Sequence, residues 1–177
     1  MNEFETPSAI PSTDPPIMEL RQYKIVDGQR DRFVDFFEQH FVESQEEAGM
    51  RLLGQFTDLD DPNRFVWLRQ FPDMPSRQQS LSDFYYGPVW AAHRDAANPM
   101  LDDNDNVLLL HPAAPDLGIT HPVRPRTAPG ESARNAGLVI ATIHYLWKDP
   151  AEGFTAFFQG QLKPALESAV MPVLGAY

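Results

Sequence analysis

The sequence of 177 residues contains no cysteine, which excludes disulfides, thiol catalysis and cysteine-ligated metal sites. No apolar run approaches the roughly 18 residues that a membrane-spanning helix needs. Basic residues are scarce beside acidic ones, 14 against 25, and the formal net charge is −11. Because so acidic a surface repels phosphate backbones and anionic lipids, we expect neither a nucleic-acid partner nor a membrane partner.

Motifs for familiar cofactors and metals are also missing. The sequence has no G-x-S-x-G elbow, Walker loop or dinucleotide fingerprint, and its five histidines lack the close spacing of a zinc site. The acidic run 102–106 resembles the start of a calcium loop, but Val107 and Ala113 stand where glycine and glutamate are required. We therefore predict no metal and no cofactor with a known sequence motif.

Two stretches, residues 18–56 and 139–177, look like copies of one unit. A constant shift of 121 positions, which puts Phe56 on Tyr177, aligns them without a gap. The matched pairs include Phe33 with Phe154, Phe37 with Phe158, Phe41 with Leu162, Met50 with Met171 and Gly54 with Gly175. Such an internal repeat indicates that one fold unit occurs twice. The first copy continues in regular pattern to residue 112 and the second stops, so we expect either a second unit cut short or a dimer that lends the missing strands.

The first unit has the periodicity of an α+β domain. Its order is β-α-β-β-α-β, the ferredoxin-like split βαβ unit, followed by a partial second copy of type βαβ. Strands are predicted at 18–26, 50–57, 64–71 and 106–111. Asp27 is the predicted cap of the first helix, which Gly49 ends, and Gly87-Pro88 splits the second helix at 73–98. Helices then cover one face of the sheet only, so the other face must find a partner.

Proline marks the predicted boundaries. Residues 1–17 lack a basic start and an apolar core, so they are no secretory signal; we expect a disordered arm, a natural start at Met18 and a cytoplasmic protein. The first domain spans 18–112, and 113–137 is a Pro-rich linker. The incomplete second repeat, 138–177, is predicted as strand 138–147, helix 149–168 and strand 170–177. Pro164 should kink that helix or end it early.

Several short motifs occur together in the first domain. They are Glu19-Leu20-Arg21-x-Tyr23, Gly49-Met50-Arg51-x-x-Gly54-x-Phe56, Arg64-Phe65-Val66-Trp67-Leu68-Arg69 and Phe84-Tyr85-x-Gly87-Pro88-Val89-Trp90-x-x-His93-Arg94. In combination they resemble the NIPSNAP family, strongly over 18–112 and weakly over 138–177. The resemblance implies a dimeric α/β-barrel architecture in which two ferredoxin-like sheets face each other. It brings no agreed catalytic residues with it.

A ligand pocket in this architecture commonly lies between sheet and helices, where the third strand and the split helix contribute side chains. His93 is the proposed acid–base group because histidine titrates near neutrality. Arg69 or Arg94 would hold an anionic group, and Arg69 shares its strand face with Trp67. Besides Arg69, the ligand-binding candidates are Trp67, Tyr85, Tyr86, Trp90 and Asn98.

Each candidate also has a purely structural interpretation. Arg69 could stack on tryptophan and pair with an internal acid, His93 and the tyrosines could be core or interface residues, and Asn98 could cap or turn the chain. Two functions stay open. One is a small-molecule enzyme without a tightly bound cofactor, monooxygenase- or isomerase-like by fold analogy. The other is a non-catalytic ligand-binding or protein-interaction module. In both, a homodimer or internal pairing of the repeats would cover the open sheet face.

Overall fold

The computed structural model describes residues 15–119, 137–146 and 151–177. The first domain forms one antiparallel sheet of five strands with helices in the order β-α-β-β-α-β. Its elements are β1 Ile17–Ile25, α1 Arg30–His40, α2 Val42–Glu47, β2 Arg51–Thr57, β3 Arg64–Phe71, α3 Met74–Tyr85, α4 Pro88–Ala97, a 3-10 turn Asn98–Met100, β4 Leu101–Asp103 and β5 Val107–Leu110. Towards the C-terminus follow α5 Ala151–Phe157, a π-helical turn Phe158–Leu162 and α6 Lys163–Ser168.

The central strand of the sheet is β1. It pairs with β3 on one side and with β4 and β5 on the other, and β2 adds to the free edge of β3. This strand order is that of a ferredoxin-like domain, so the predicted α+β class is confirmed. The last strand comes in two pieces, because an Asx turn at Asp103, whose side chain accepts a hydrogen bond from the Asp105 amide at 2.8 Å, separates β4 from β5.

An aromatic core fills the space between the sheet and the helices. The Phe37 ring of α1 lies 4.9 Å from the Trp67 ring and 5.3 Å from the Phe65 ring, both on β3. Phe33 of α1 and Tyr23 of β1 complete the contact, with ring centroids 6.3 Å apart. Burial of each large ring contributes about 1.5–3 kcal/mol. Phe33 and Phe37, two of the phenylalanines that recur in the predicted repeat, are thus the side chains that hold α1 on the sheet.

The opposite sheet face also carries apolar side chains. Val66, Leu68, Leu108 and Leu110 lie on it and are half-buried. The requirement that this face be covered by a second sheet stays a prediction.

Two helices end in the same way, 121 positions apart. The amide of Gly49, after α2, donates to the Glu46 carbonyl at 2.9 Å, and that of Val170, after α6, donates to the Glu167 carbonyl at 3.1 Å. In both places the next amide reaches five residues back, at 3.0 Å. Both cap residues have positive φ, 88° and 61°. These matched caps favour the predicted repeat, which remains a prediction as a whole.

The two strands predicted in the second repeat are absent from its described residues. Residues 137–146 and 169–177 are described and contain no strand. A strand needs a hydrogen-bonded neighbour along its length. The last residues make only scattered backbone bonds, from Ala113 to Ala176 at 3.0 Å and from Ala176 to Leu117 at 2.8 Å. The segment 138–146 leaves large apolar side chains exposed, with Tyr145 at 90%.

Pro164 does not end its helix early, so of the two predicted effects only the kink is left as a prediction. The chain widens into the π-helical turn Phe158–Leu162 and continues through α6 to Ser168. Proline has no amide hydrogen to give to the preceding turn, and its ring crowds the carbonyl four residues back. A wider turn before the proline relieves that crowding.

Smaller boundary predictions also change. The N-cap of α1 is Gln29 rather than Asp27, and no side chain caps it. Asp27 instead accepts a hydrogen bond from the Asn63 side chain at 3.1 Å. The first strand begins at Ile17, one residue inside the predicted arm. Most of that arm and of the linker, 1–14 and 120–136, lies outside the described residues, and within the described part no helix is long and apolar enough to cross a membrane.

Candidate functional site

Glu19 is the centre of a buried cluster of charges. Its side chain is fully buried, and its carboxylate pairs with three guanidinium groups. Oε2 accepts from Arg69 Nε at 2.7 Å and from Arg21 Nη1 at 2.8 Å. Oε1 accepts from Arg77 Nε at 2.7 Å and lies 2.6 Å from Arg77 Nη2. The cluster thus joins β1, β3 and α3.

Strand alternation places these residues together. Glu19, Arg21 and Tyr23 are alternate residues of β1 and therefore share its helix-facing side. Glu19 and Arg69 are direct cross-strand partners, as are Arg21 and Trp67. Arg77 is the fourth residue of α3, a helix that Asp73 starts by accepting a hydrogen bond from the Ser76 amide at 2.7 Å.

The charges in the cluster do not balance. Burial by itself would raise the pKa of Glu19, but Arg69 and Arg21 outweigh burial and hold that pKa below its ordinary value. Glu19 is therefore ionised at neutral pH. Three guanidinium groups share its single negative charge, so the cluster keeps an excess of positive charge beneath α3.

Aromatic rings surround the two arginines that come from the sheet. Arg21 lies over the Tyr23 and Trp67 rings, 5.3 Å from each centroid, and Arg69 lies 5.0 Å from the Trp67 centroid. The Tyr23 hydroxyl accepts a hydrogen bond from Arg21 Nε at 3.0 Å. Burial raises the pKa of Tyr23, and Tyr85 adds to that rise. Two phenol groups and a guanidinium therefore meet in the aromatic core.

The indole N–H of Trp67 is buried and has no hydrogen-bond partner among the described residues. Trp67 itself is 2% exposed. A buried donor without a partner costs roughly 1–3 kcal/mol of folding free energy. A polar atom of a ligand could accept a hydrogen bond from this indole N–H, which lies beside two guanidinium groups.

The cluster reaches the surface through Arg77. This side chain is 23% exposed and forms part of an open hollow of about 510 Å³ along α3. The other lining residues are Met74, Pro75, Gln78 and Leu81. One side of Arg77 therefore bonds Glu19, and another side faces the hollow.

The predicted acid–base group lies elsewhere. His93 of α4 stacks on His40 of α1, with ring centroids 3.9 Å apart and planes 20° apart, and the Phe36 ring is 5.7 Å away. Burial and the neighbouring His93 lower the pKa of His40. In the described part of the chain no contact joins His93 to Glu19. The two histidines pack where α1 contacts α4. This position agrees with the interpretation of His93 as a core or interface residue.

The remaining candidates divide between core and surface. Trp67 and Arg69 lie in the cluster, and Tyr85 packs on Trp90 with centroids 5.0 Å apart. Tyr86 is 89% exposed and faces away from the core. The next candidates lie on the surface of α4: Arg94, whose neighbour Asp95 is 3.6 Å away, and the exposed Asn98, which ends the helix.

Glu19, Arg21 and Arg77 were missed as site residues. For the first two a signal existed, because an arginine inside a strand face needs an acid and Glu19 alternates with Arg21 and Tyr23 on the neighbouring strand. The sequence contained no such signal for Arg77, because its contact with Glu19 depends on where α3 crosses β3. Over the described residues, no group of three or more histidines and acids is placed to hold a metal ion.

The sheet order and the helices define an α+β domain of the ferredoxin-like class, and comparison with known proteins gives its family. The NIPSNAP family model matches residues 18–115. The chain belongs to the NIPSNAP family, which confirms the resemblance found in the sequence. A search of curated proteins finds no match.

Solved structures show the same fold. An uncharacterized NIPSNAP domain protein from Burkholderia xenovorans is 23% identical, with 55% of this chain and 95% of that chain covered and a TM-score of 0.51. A NIPSNAP-like domain protein from the same organism is 24% identical, with 66% and 97% covered and a TM-score of 0.52. A NIPSNAP family protein from Agrobacterium tumefaciens is 16% identical, with 62% and 99% covered and a TM-score of 0.52. At these identities the likeness concerns the fold alone.

Proposed function

We propose that this chain binds a small, partly apolar molecule between its sheet and its helices, beside Arg21, Trp67 and Tyr85. The observation that carries the proposal is the unpartnered indole N–H of Trp67 in a core that already holds two guanidinium groups. Aromatic rings would hold the apolar part of the molecule, and the N–H and guanidinium groups would fix its polar atoms.

Stability alone gives little reason for this cluster. Replacing buried ion pairs by well-packed apolar residues is often neutral or stabilising by about 1–4 kcal/mol. A core built only to hold β1 against β3 and α3 would need neither Glu19 nor three arginines. A buried polar cluster inside an aromatic core is therefore better explained by recognition of a ligand.

An enzyme and a binder remain the two forms of this function. In the enzymatic form, the bound molecule is converted without a tightly bound cofactor, as in monooxygenase- or isomerase-like chemistry, with His93 as the proposed acid–base group and Arg94 beside it. In the non-catalytic form, a ligand-binding or interaction module holds the molecule unchanged. The geometry favours the binding step, because the cluster offers donors and rings while His93 is stacked on His40.

The test follows the Trp67 indole by NMR. The protein is ¹⁵N-labelled, Trp67→Phe assigns the resonance, and a library of small aromatic and aliphatic molecules is screened by thermal shift. Hits should shift the Trp67 indole peak and lose affinity in Arg21→Met. Hits that leave this peak unmoved, or bind Arg21→Met equally well, would contradict the site. Product formation that His93→Ala abolishes would separate the enzyme from the binder.

The sheet face opposite the helices is only partly buried by the described residues. We propose that Val66, Leu68, Leu108 and Leu110 are covered in a homodimer or by pairing with residues of the second repeat, because half-buried apolar side chains on a sheet face rarely stay in water. Light scattering on the full chain at micromolar concentration measures the assembly. A monomer whose residues 138–177 exchange amide hydrogens independently of the first domain would contradict this proposal.

A further inference from the structure

We infer that the hollow along α3 takes the carboxylate end of an amphipathic monocarboxylate, with Arg77 as its anchor. The inference rests on the proposed binding function and adds the charge of the ligand and its point of entry. Arg77 bonds Glu19 through Nε and Nη2, and its Nη1 makes no hydrogen bond among the described residues. A partly exposed guanidinium nitrogen beside a hollow is a ready donor for an anion.

The charge of the cluster selects an anion. Glu19 neutralises one of three guanidinium groups, and Arg69 and Arg21 share its Oε2. Salt screens the remaining positive charge only weakly, because the side chains of Arg69 and Arg21 are 1% and 11% exposed, respectively. One carboxylate at Arg77 would reduce that excess without displacing Glu19 from Arg69. A cation at the same place would meet repulsion from all three groups.

The position of Arg77 is fixed in advance. Its guanidinium lies 5.9 Å from the Phe71 ring centroid and is tied to a carboxylate that cannot turn away, because Arg69 and Arg21 hold the other oxygen. A donor held in this way loses little side-chain entropy on binding. The exposed end of the cluster is therefore organised for an anion before one arrives.

The rest of the hollow is suited to an apolar chain. Met74, Pro75 and Leu81 line it, with Gln78 as the additional polar side chain. Met74 is 48% exposed and Leu81 packs against the aromatic core, so an apolar chain could run from the surface towards the core. The hollow is open to solvent, so an apolar chain would lie along its Met74, Pro75 and Leu81 wall rather than inside a closed cavity. The hollow has a positive charge at one end and an apolar wall at the other. A ligand that matches both is an amphipathic acid.

The experiment titrates octanoate and 1-octanol into the full chain and follows the methyl resonances of Met74 and Leu81. We expect saturable octanoate binding and at least about tenfold weaker binding of the alcohol, the size of one charge-assisted hydrogen bond. Arg77→Gln should reduce octanoate affinity by a similar factor, since the amide can still donate to Glu19 but carries no charge. The matched control Arg32→Gln removes the same charge from the exposed face of α1 and should bind octanoate as the parent does.

The outcomes separate the two proposals. Equal affinity for octanoate and octanol, or undiminished octanoate binding by Arg77→Gln, would overturn the carboxylate inference and leave the binding function standing. Octanoate binding that Arg32→Gln weakens as much as Arg77→Gln would show attraction by overall charge and would also overturn it. No binding of either probe, together with an unmoved Trp67 indole in the library screen, would refute both. If Arg77→Gln unfolds, Arg77→Lys keeps the charge and should retain more than half of the binding free energy.

Discussion

Replacing Glu19 by glutamine should be among the most destabilising single changes in the first domain. The side chain is fully buried, and both its oxygens accept from guanidinium groups at 2.7–2.8 Å. Glutamine keeps the shape but offers one oxygen only, and its amide hydrogens would face the donors of Arg21, Arg69 or Arg77. Removing one partner of a buried ion pair costs about 3–5 kcal/mol.

The assay is urea unfolding followed by tryptophan fluorescence, since Trp67 lies against two members of the cluster. We expect Glu19→Gln to lower the unfolding midpoint with an unchanged slope and to remove about a third or more of a typical folding free energy. Glu47→Gln is the matched control, because Glu47 is exposed at the end of α2 and its loss should change stability by less than about 0.5 kcal/mol.

The pH dependence provides a second readout of the same perturbation. The folded pKa of Glu19 lies below its ordinary value, so its stabilisation is present above about pH 4 and is lost as the pH falls through the folded pKa. Glu19→Gln should therefore flatten the acid limb of the stability profile. A loss below about 1 kcal/mol at neutral pH, with the acid limb unchanged, would refute the view that the three arginines depend on this carboxylate.

The two helix caps and the histidine pair give two further predictions. Gly49→Ala should destabilise by about 1–2 kcal/mol because φ is positive and a Cβ would lie 3.0 Å from Ser80 Oγ. Val170→Gly should slow hydrogen exchange at the end of α6, because glycine relieves the same backbone conformation. Unchanged stability in Gly49→Ala, or faster exchange in Val170→Gly, would contradict this reasoning. The lowered pKa of His40 means that its contribution is complete above about pH 6.5 and is lost as the pH falls towards the folded pKa. His40→Gln should remove that slope in thermal unfolding between pH 7 and 5, and a slope that persists would show that the stack with His93 is not its source.

Alternation and helical spacing predicted the sheet well. The pattern RFVWLRQF has large groups on both faces, and the observed β3, Arg64–Phe71, has the predicted bounds. Gly87-Pro88 splits the second helix as predicted, because proline is tolerated at the first position of α4. These features depend on neighbouring residues only, so the sequence determines them directly.

The candidate site was harder to predict, because it depends on contacts between distant elements. One interpretation of Arg69 paired it with an internal acid, and this acid is Glu19, 50 residues away. Tyr86 shares its sequence neighbourhood with Tyr85 but lies on the other side of the helix end. Strand pairing is likewise a property of partners, which explains why 170–177 has a strand-like pattern and no strand.

The central place of β1 has a consequence for how the chain folds. Because β1 precedes its neighbours β3 and β5 in the sequence, it can pair with them only after those later segments have been synthesised, so most of the sheet depends on pairings distant in sequence. Such topologies fold slowly, because loop closure must precede the gain from pairing. Until Arg69 arrives, Glu19 remains solvated and β1 offers two open edges. The ribosome-bound chain is therefore exposed to mispairing during the interval between its first and third strands.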